Sequence, residues 1–239
     1  MENLYDINGL VFWSKREIQF RRYAQEFFSR EISDLLIFEN KSWSFHETEG
    51  PLLIPKSLIN ADYTNEDIWV QEVIGDDNEL VLRPETTPSS FRYAVSLINN
   101  YVSLPPMVVE QTGKSFRREQ DQVSKNMRLK EFYQQEFQCI YAADTFNDYQ
   151  SKILPGLVAV FQKLIGKPCR MVDSDRLPSY SLRTVDVEVN NGNKWMEVCS
   201  VSKRTDFPIQ VKFGSKEPKP MLVLEIAIGL DRCVYNYFL

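Results

Sequence analysis

Met107-Val-Val-Glu-Gln-Thr-Gly-Lys-Ser-Phe-Arg-Arg-Glu119 and Glu131-Phe-Tyr-Gln-Gln-Glu-Phe-Gln-Cys-Ile-Tyr141 are two extended runs separated by a polar, irregular stretch from Gln120 to Arg128. The pleat of a strand sends Phe132, Gln134, Glu136 and Gln138 to one side of the second run and Tyr133, Phe137, Cys139 and Tyr141 to the other. Two such strands around a charged loop make a long antiparallel hairpin. One face is apolar and suits a core. The other is polar yet carries the ring of Phe132, as the floor of a ligand cleft does. The first run adds Lys114, Arg117, Arg118 and Glu119, so cations and a carboxylate lie beside that ring.

Working outward, Ser14-Lys-Arg-Glu17 is a capping box that predicts a long amphipathic helix with Ile18, Tyr23, Phe27 and Ile32 on its stripe. Residues near 42–54 predict one or two strands interrupted at Gly50-Pro51, and Glu79 to Arg83 a short strand. Thr87-Pro88 supplies an N-cap and a first-turn proline for a helix carrying Phe91, Ala94, Val95 and Ile98. Residues 147–165 predict a helix that Pro155 kinks or starts. Ser181 to Val189 and Lys194 to Ser202 are strands joined by the turn Asn190-Asn-Gly-Asn193, and Met221 to Ala227 is a strand that runs through Gly229 into a terminal helix. Mixed α and β elements without a repeat or linker predict one domain, residues 1–239.

The composition excludes several functions. With 28 basic and 33 acidic residues, a net charge of -5 rules out indiscriminate binding of phosphate backbones by the whole surface. Cys139, Cys169, Cys199 and Cys233 form no C-x-x-C pair and read as reduced core thiols. The single histidine, His46, removes every His-pair metal site and sits in an alternating run that favours packing over catalysis. No apolar run is long enough to span a bilayer, and the N-terminus lacks the plan of a secretory signal, so the expectation is a cytoplasmic protein.

A second chemical cluster is Leu224-Glu-Ile-Ala-Ile-Gly-Leu-Asp-Arg232, where a strand turns at a glycine into a helix. Arg232 then lies in the first turn, where the positive end of the helix and a guanidinium favour the same anion. With the hairpin arginines it outlines a polyphosphate clamp.

These residues resemble the class II aminoacyl-tRNA synthetases, and among them the glycyl-tRNA synthetases. Gly113-Lys-Ser-Phe-Arg-Arg-Glu119 and Arg128-Leu-Lys-Glu-Phe132 are similar to the family's motif 2, and Gly229-Leu-Asp-Arg232 to motif 3. Leu82-Arg-Pro-Glu-Thr86 is similar to the amino-acid loop of glycyl enzymes, and Trp195-Met-Glu-Val-Cys-Ser-Val-Ser-Lys-Arg204 to their Trp-Ile-Glu segment. A looser likeness to motif 1 surrounds Glu49-Gly-Pro51. The ordered set covers about residues 45–235.

The resemblance implies an α+β fold, an antiparallel six- or seven-stranded sheet flanked by helices, with ATP and Mg2+ as cofactors. It implies that Arg117 holds the α-phosphate, Glu119 accepts the adenine amino group, Phe132 stacks on adenine and Arg232 meets the γ-phosphate, so that Arg117 and Arg232 carry the catalysis. Arg204 is expected to add a phosphate contact, Glu197 to position magnesium, and Glu85, Glu136 and Glu225 to surround the substrate ammonium. The implied reaction activates a small, glycine-like amino acid to an adenylate and passes it to the acceptor end of tRNA. The alternatives are transfer to a carrier protein and a non-catalytic accessory subunit. Glu225-Ile-Ala227 departs from the Glu-Pro-Ser of glycyl enzymes, and Ser200-Val-Ser-Lys-Arg204 from their Gly-Ile-Ala-Asp-Arg type, so the pocket is expected to differ. The chain stops seven residues after Arg232, where an anticodon-binding domain follows in the resembled enzymes. A homodimer through residues 15–55 is the family expectation.

Overall fold

In the computed structural model, which describes residues 5–7, 9–71, 79–118, 127–144, 147–192 and 194–238, the Ser14 hydroxyl accepts the Glu17 N–H and the Glu17 carboxylate accepts the Ser14 N–H at 2.7 Å. This reciprocal cap starts α1 (Lys15–Glu39), whose buried stripe is Phe20, Ala24, Phe27, Phe28, Ile32 and Leu36. The stripe is rotated from the expected one. Tyr23 is exposed, because the 3.6-residue period carried from Phe27 and Ile32 reaches Phe20 and Ala24 instead. A small hairpin of β1 (Tyr5–Ile7) and β2 (Leu10–Phe12), its strands too short to carry a readable alternation, precedes the helix.

The remaining elements are β3 (Ser44–Thr48), β4 (Leu53–Pro55), β5 (Trp69–Gln71), β6 (Leu80–Leu82), α2 (Thr87–Asn99), β7 (Met107–Phe116) and β8 (Glu131–Ala142). They continue with α3 (Tyr149–Ile165), β9 (Cys169–Asp173), β10 (Ser181–Asn190), β11 (Trp195–Arg204), β12 (Met221–Gly229) and α4 (Leu230–Phe238). α3 passes through Pro155 without ending, since burial of Ile153, Leu154, Leu157 and Phe161 at about 1.5–3 kcal/mol each outweighs the roughly 3 kcal/mol a mid-helix proline costs. β9 was not foreseen. As an outer strand its residues are mostly exposed, so it lacks the apolar alternation of a half-buried one.

Seven strands form the main sheet in the order β3-β7-β8-β12-β11-β10-β9. Its pairs are antiparallel except β3 with β7, which run parallel with Ser44 opposite Met107. The sheet is therefore mixed and not purely antiparallel as expected. The segment between β3 and β7 folds into the small antiparallel sheet β4-β6-β5 and α2, and that long excursion is what a parallel return requires.

Alternation along the strands divides the core in two. Val108, Phe137, Cys139, Leu224 and Ile226 face α1, α3 and α4, while Met107, Val109, Ile140 and Val223 face Phe91, Ala94, Leu97 and Ile98 of α2 together with Phe207 and Val211. Farther along β8 the second face turns polar at Gln134, Glu136 and Gln138, which is where the cleft opens. The four cysteines are free and buried, as expected of core thiols, and burial raises their pKa. No helix among the described residues is long and apolar enough to cross a membrane.

Candidate active site

The register of β8 against β12 places Glu136 opposite Ala227 and Gln138 opposite Glu225, so both glutamates share the cleft face. The first residues of α2 are spent on them. Thr86 occupies the cap position in place of the expected Thr87, and its side chain makes no cap bond. The Thr86 hydroxyl donates to Glu136 Oε2 at 2.6 Å, and the Thr87 hydroxyl lies 2.9 Å from Glu225 Oε1 and 3.1 Å from Glu136 Oε2. Gln138 Nε2 donates to Glu225 at 2.9 Å, and Gln134 Nε2 to Glu136 Oε1 at 2.7 Å. Both carboxylates are buried and densely hydrogen-bonded.

Glu85 completes the cage from the loop before α2. It is 5% exposed, and the Tyr63 hydroxyl donates to it over a long 3.4 Å. Burial pushes its pKa up to about 7; Arg204 and Arg117 oppose that rise, and Glu136 and Glu225 reinforce it. Glu136 is likewise raised, by burial first and by Glu225 second. The three carboxylates that sequence reasoning nominated line one cleft.

Arg204 is placed differently from expectation. Its side chain is 1% exposed and does not line the cleft of Arg117 and Arg232. Nη1 donates to Glu225 Oε1 at 2.6 Å, Nε and Nη2 grip Asp206 at 3.0 and 2.8 Å, and the guanidinium lies 3.8 Å from the centroid of Tyr180. It is the buried counter-ion of the acid cage, and its charge is committed there instead of to a phosphate.

The same cleft, which has a volume of about 880 Å³, also carries arginines and an aromatic ring. Arg117 follows β7, its Nε donates to the Pro84 carbonyl at 3.1 Å, and its guanidinium lies 5.2 Å from the centroid of Phe132. The Glu85 loop thus aims Arg117 as well as supplying the acid. Arg232, in the first turn of α4, donates from Nη1 to the Glu197 carbonyl at 3.0 Å and lies 3.3 Å from its carboxylate. Arg117, Phe132, Glu197 and Arg232 all line the cleft, whereas Glu119 lies outside the described residues.

Two contributors escaped the sequence reading. Asp186 of β10 reaches the cleft, its pKa raised by burial and then by Glu197; alternation of Thr184, Asp186 and Glu188 on one strand face was the available signal. Arg83 is 1% exposed and ties three segments together, donating to Lys114 O and Gly50 O at 2.8 Å each. It lies so flat on Gly113 that a Cβ there would come within 2.2 Å of its Nη2, which explains the glycine in the middle of β7. His46, on the outer strand β3, does not line the cleft.

Residues 68–237 match the tRNA synthetase class II core domain (G, H, P, S and T). The chain belongs to this family. Its curated relatives include the glycine–tRNA ligase of Mycoplasma capricolum, 29% identical over 186 residues that make up 70% of this chain and 41% of the relative. Another is the glycine–tRNA ligase of Mycolicibacterium paratuberculosis, 31% identical over 54% of this chain and 29% of the relative. The chain spans less than half the length of these relatives. Among solved structures, prolyl-tRNA synthetase from Cryptosporidium parvum, complexed with halofuginone and AMPPNP, superposes with a TM-score of 0.78 at 12% identity, covering 98% of this chain and 48% of that one. The Giardia lamblia enzyme in complex with prolyl-adenylate gives 0.75 at 17% identity, with the same coverage of 98% and 48%. These two establish the likeness of fold.

Proposed function

We propose that this synthetase domain condenses a small amino acid with ATP to form an aminoacyl-adenylate, which is then transferred to the acceptor end of a tRNA. The observation that carries the reading is the lining of one cleft: a cage of three buried carboxylates together with Arg117, Arg232 and the Phe132 ring. An amino acid is the ligand that needs a cation site joined to an anion site, and a nucleoside triphosphate needs a ring platform joined to guanidinium groups. The relatives named as glycine–tRNA ligases and the neighbour bound to an ATP analogue support the same assignment.

In this mechanism the ammonium sits among Glu85, Glu136 and Glu225, which points the substrate carboxylate toward Arg117. Phe132 stacks on adenine, Arg117 holds the α-phosphate and Arg232 the γ-phosphate. A carboxylate oxygen forms a bond to the α-phosphorus while the bond to the bridging oxygen breaks, and that electron pair leaves with pyrophosphate. The nucleophile is already ionised at neutral pH because its pKa is about 3.5, so no general base is required. Positioning and charge stabilisation by Arg117 and Arg232 supply the acceleration. Glu197 and Asp186 offer hard oxygen donors of the kind Mg2+ takes, and a bound ion would neutralise phosphate charge there. The homodimer through residues 15–55 belongs to the same reading, supported by the exposed side chains Tyr23, Phe38, Phe45 and Leu52 in that stretch.

Exchange of labelled pyrophosphate into ATP, run with each of the twenty amino acids, tests the reading. The expected result is exchange with glycine or another small amino acid; none with any amino acid overturns activation in favour of a non-catalytic subunit. Charging of total tRNA, set against loading of a carrier protein, then decides the acceptor.

A pH dependence follows from Glu85. Its pKa in the fold is about 7, above the ordinary carboxylate value, so the group is neutral below about pH 7 and charged above it. Binding an ammonium needs the charged form. KM for the amino acid is therefore expected to be flat at high pH and to rise by about tenfold per unit below pH 7, the slope of one proton. The ligand-free fold changes in the opposite sense, losing stability as pH rises from the ordinary value toward 7. A KM unchanged between pH 8 and 6 would overturn the role of Glu85.

A further inference from the structure

Asp231 and Arg21 have no part in the chemistry above, yet they form a buried ion pair that joins α1, outside the cleft, to the first turn of α4, which lines it. Arg21 Nη1 of α1 lies 3.0 Å from Asp231 Oδ1, with side chains 12% and 4% exposed. The other oxygen, Asp231 Oδ2, accepts the N–H of Tyr133 at 2.8 Å. The β8–β12 ladder ends at Gln134 opposite Gly229, so this bond adds one more rung, made by a side chain after the strand has become a helix. The Arg21 guanidinium also covers the Tyr133 ring at 3.8 Å from its centroid.

The neighbours in sequence give the arrangement its meaning. Tyr133 follows Phe132, and Asp231 precedes Arg232. A single carboxylate thus fixes the residue beside the ring platform to the residue beside the terminal arginine, and Arg21 holds that carboxylate charged and aimed. Burial drives Asp231 toward its neutral form and outweighs the opposing pull of the Tyr133 N–H and Arg21, which leaves its pKa near 6. A neutral or rotated carboxyl would release α4's first turn from β8, and the backbone that carries Arg232 would move with it.

We propose that Arg21 is a positioning residue for the nucleotide: through Asp231 and the Tyr133 backbone it sets the distance between the Phe132 ring and the Arg232 guanidinium. The inference rests on the cleft being an ATP site. It goes beyond that reading in giving a helix outside the cleft control over nucleotide affinity and leaving the amino-acid cage untouched.

Arg21→Ala, Arg21→Lys, Asp231→Asn and the Arg21→Ala/Asp231→Asn double variant separate the possibilities, with ATP affinity by calorimetry and separate KM values for ATP and amino acid. Misplacing a binding group by about 1 Å costs on the order of a hundredfold, so Arg21→Ala is expected to weaken ATP by ten- to a hundredfold. KM for the amino acid should stay within twofold, Arg21→Lys should recover part of the loss, and the double variant should be no worse than Asp231→Asn. A merely structural ion pair would lower the melting temperature and leave KM for ATP unchanged in the folded protein, which overturns the proposal. So does a double variant whose losses multiply. If Arg21→Ala does not fold, the nearly isosteric Asp231→Asn carries the test through the same split of KM values. Parent protein that binds no ATP defeats the cleft assignment itself, whereas parent that binds ATP and an Arg21→Ala variant that binds it equally defeat this inference alone.

Discussion

Arg117→Ala is expected to reduce amino-acid-dependent pyrophosphate exchange by about 10²–10³-fold while leaving the fold intact, because removing one pre-aimed transition-state donor costs about 3–4 kcal/mol. The fold should survive, since Arg117 follows β7 and is only partly buried, beside the rings of Phe132 and Tyr63. The loss belongs in kcat more than in KM for the amino acid, whose ammonium end is held elsewhere. Exchange assays on the variant, beside a circular dichroism melt, measure both halves of the statement. Exchange at the parent rate would remove Arg117 from the mechanism.

Arg204→Ala has the second large effect, and it acts on stability as well as function. Glu225 is 5% exposed and shares its Oε1 among Thr87, Gln138 and Arg204. Deleting the guanidinium leaves buried carboxylates without their counter-ion, a loss of about 3–5 kcal/mol when one partner of a buried pair is removed. Tyr180 and Phe91, whose ring centroids lie 3.8 and 5.4 Å from the guanidinium, lose that contact too. Chemical denaturation should therefore show a midpoint shift of that size. Amino-acid affinity should fall even where the variant is folded, because Glu225 loses the guanidinium that fixes its carboxylate in the cage. Lysine at this position keeps the charge but cannot grip Asp206 and Glu225 in one plane, so Arg204→Lys should recover only part of the stability. An Arg204→Ala protein with parental stability would show that the cage is solvated and not braced.

The hairpin from Met107 to Tyr141 was legible because its alternation is strong and both faces have a meaning: Phe137 and Cys139 feed the core, Glu136 and Gln138 the cleft. The edges were not. β9 has too few buried side chains to leave a pattern, and the parallel pairing of β3 with β7 depends on where a long excursion returns, which no local periodicity encodes. The same distinction runs through the site. Glu85, Glu136 and Glu225 are implied as a set by family likeness and do share a cleft, whereas Arg204 matches a motif position but its guanidinium is buried against Glu225 and Asp206 and does not line that cleft.

Residue type and period by themselves determined the long elements and the two faces of β8, because a strand's alternation and a helix's stripe are local properties of the chain. Only the tertiary structure decided which charges neutralise one another. Arg204 finds Glu225, Arg21 finds Asp231 and Arg83 finds the carbonyls of Gly50 and Lys114 across gaps of up to 210 residues. The physical reason is that a buried charge takes whichever opposite partner desolvates with it, and that choice is made by the packing of distant elements, not by spacing along the sequence.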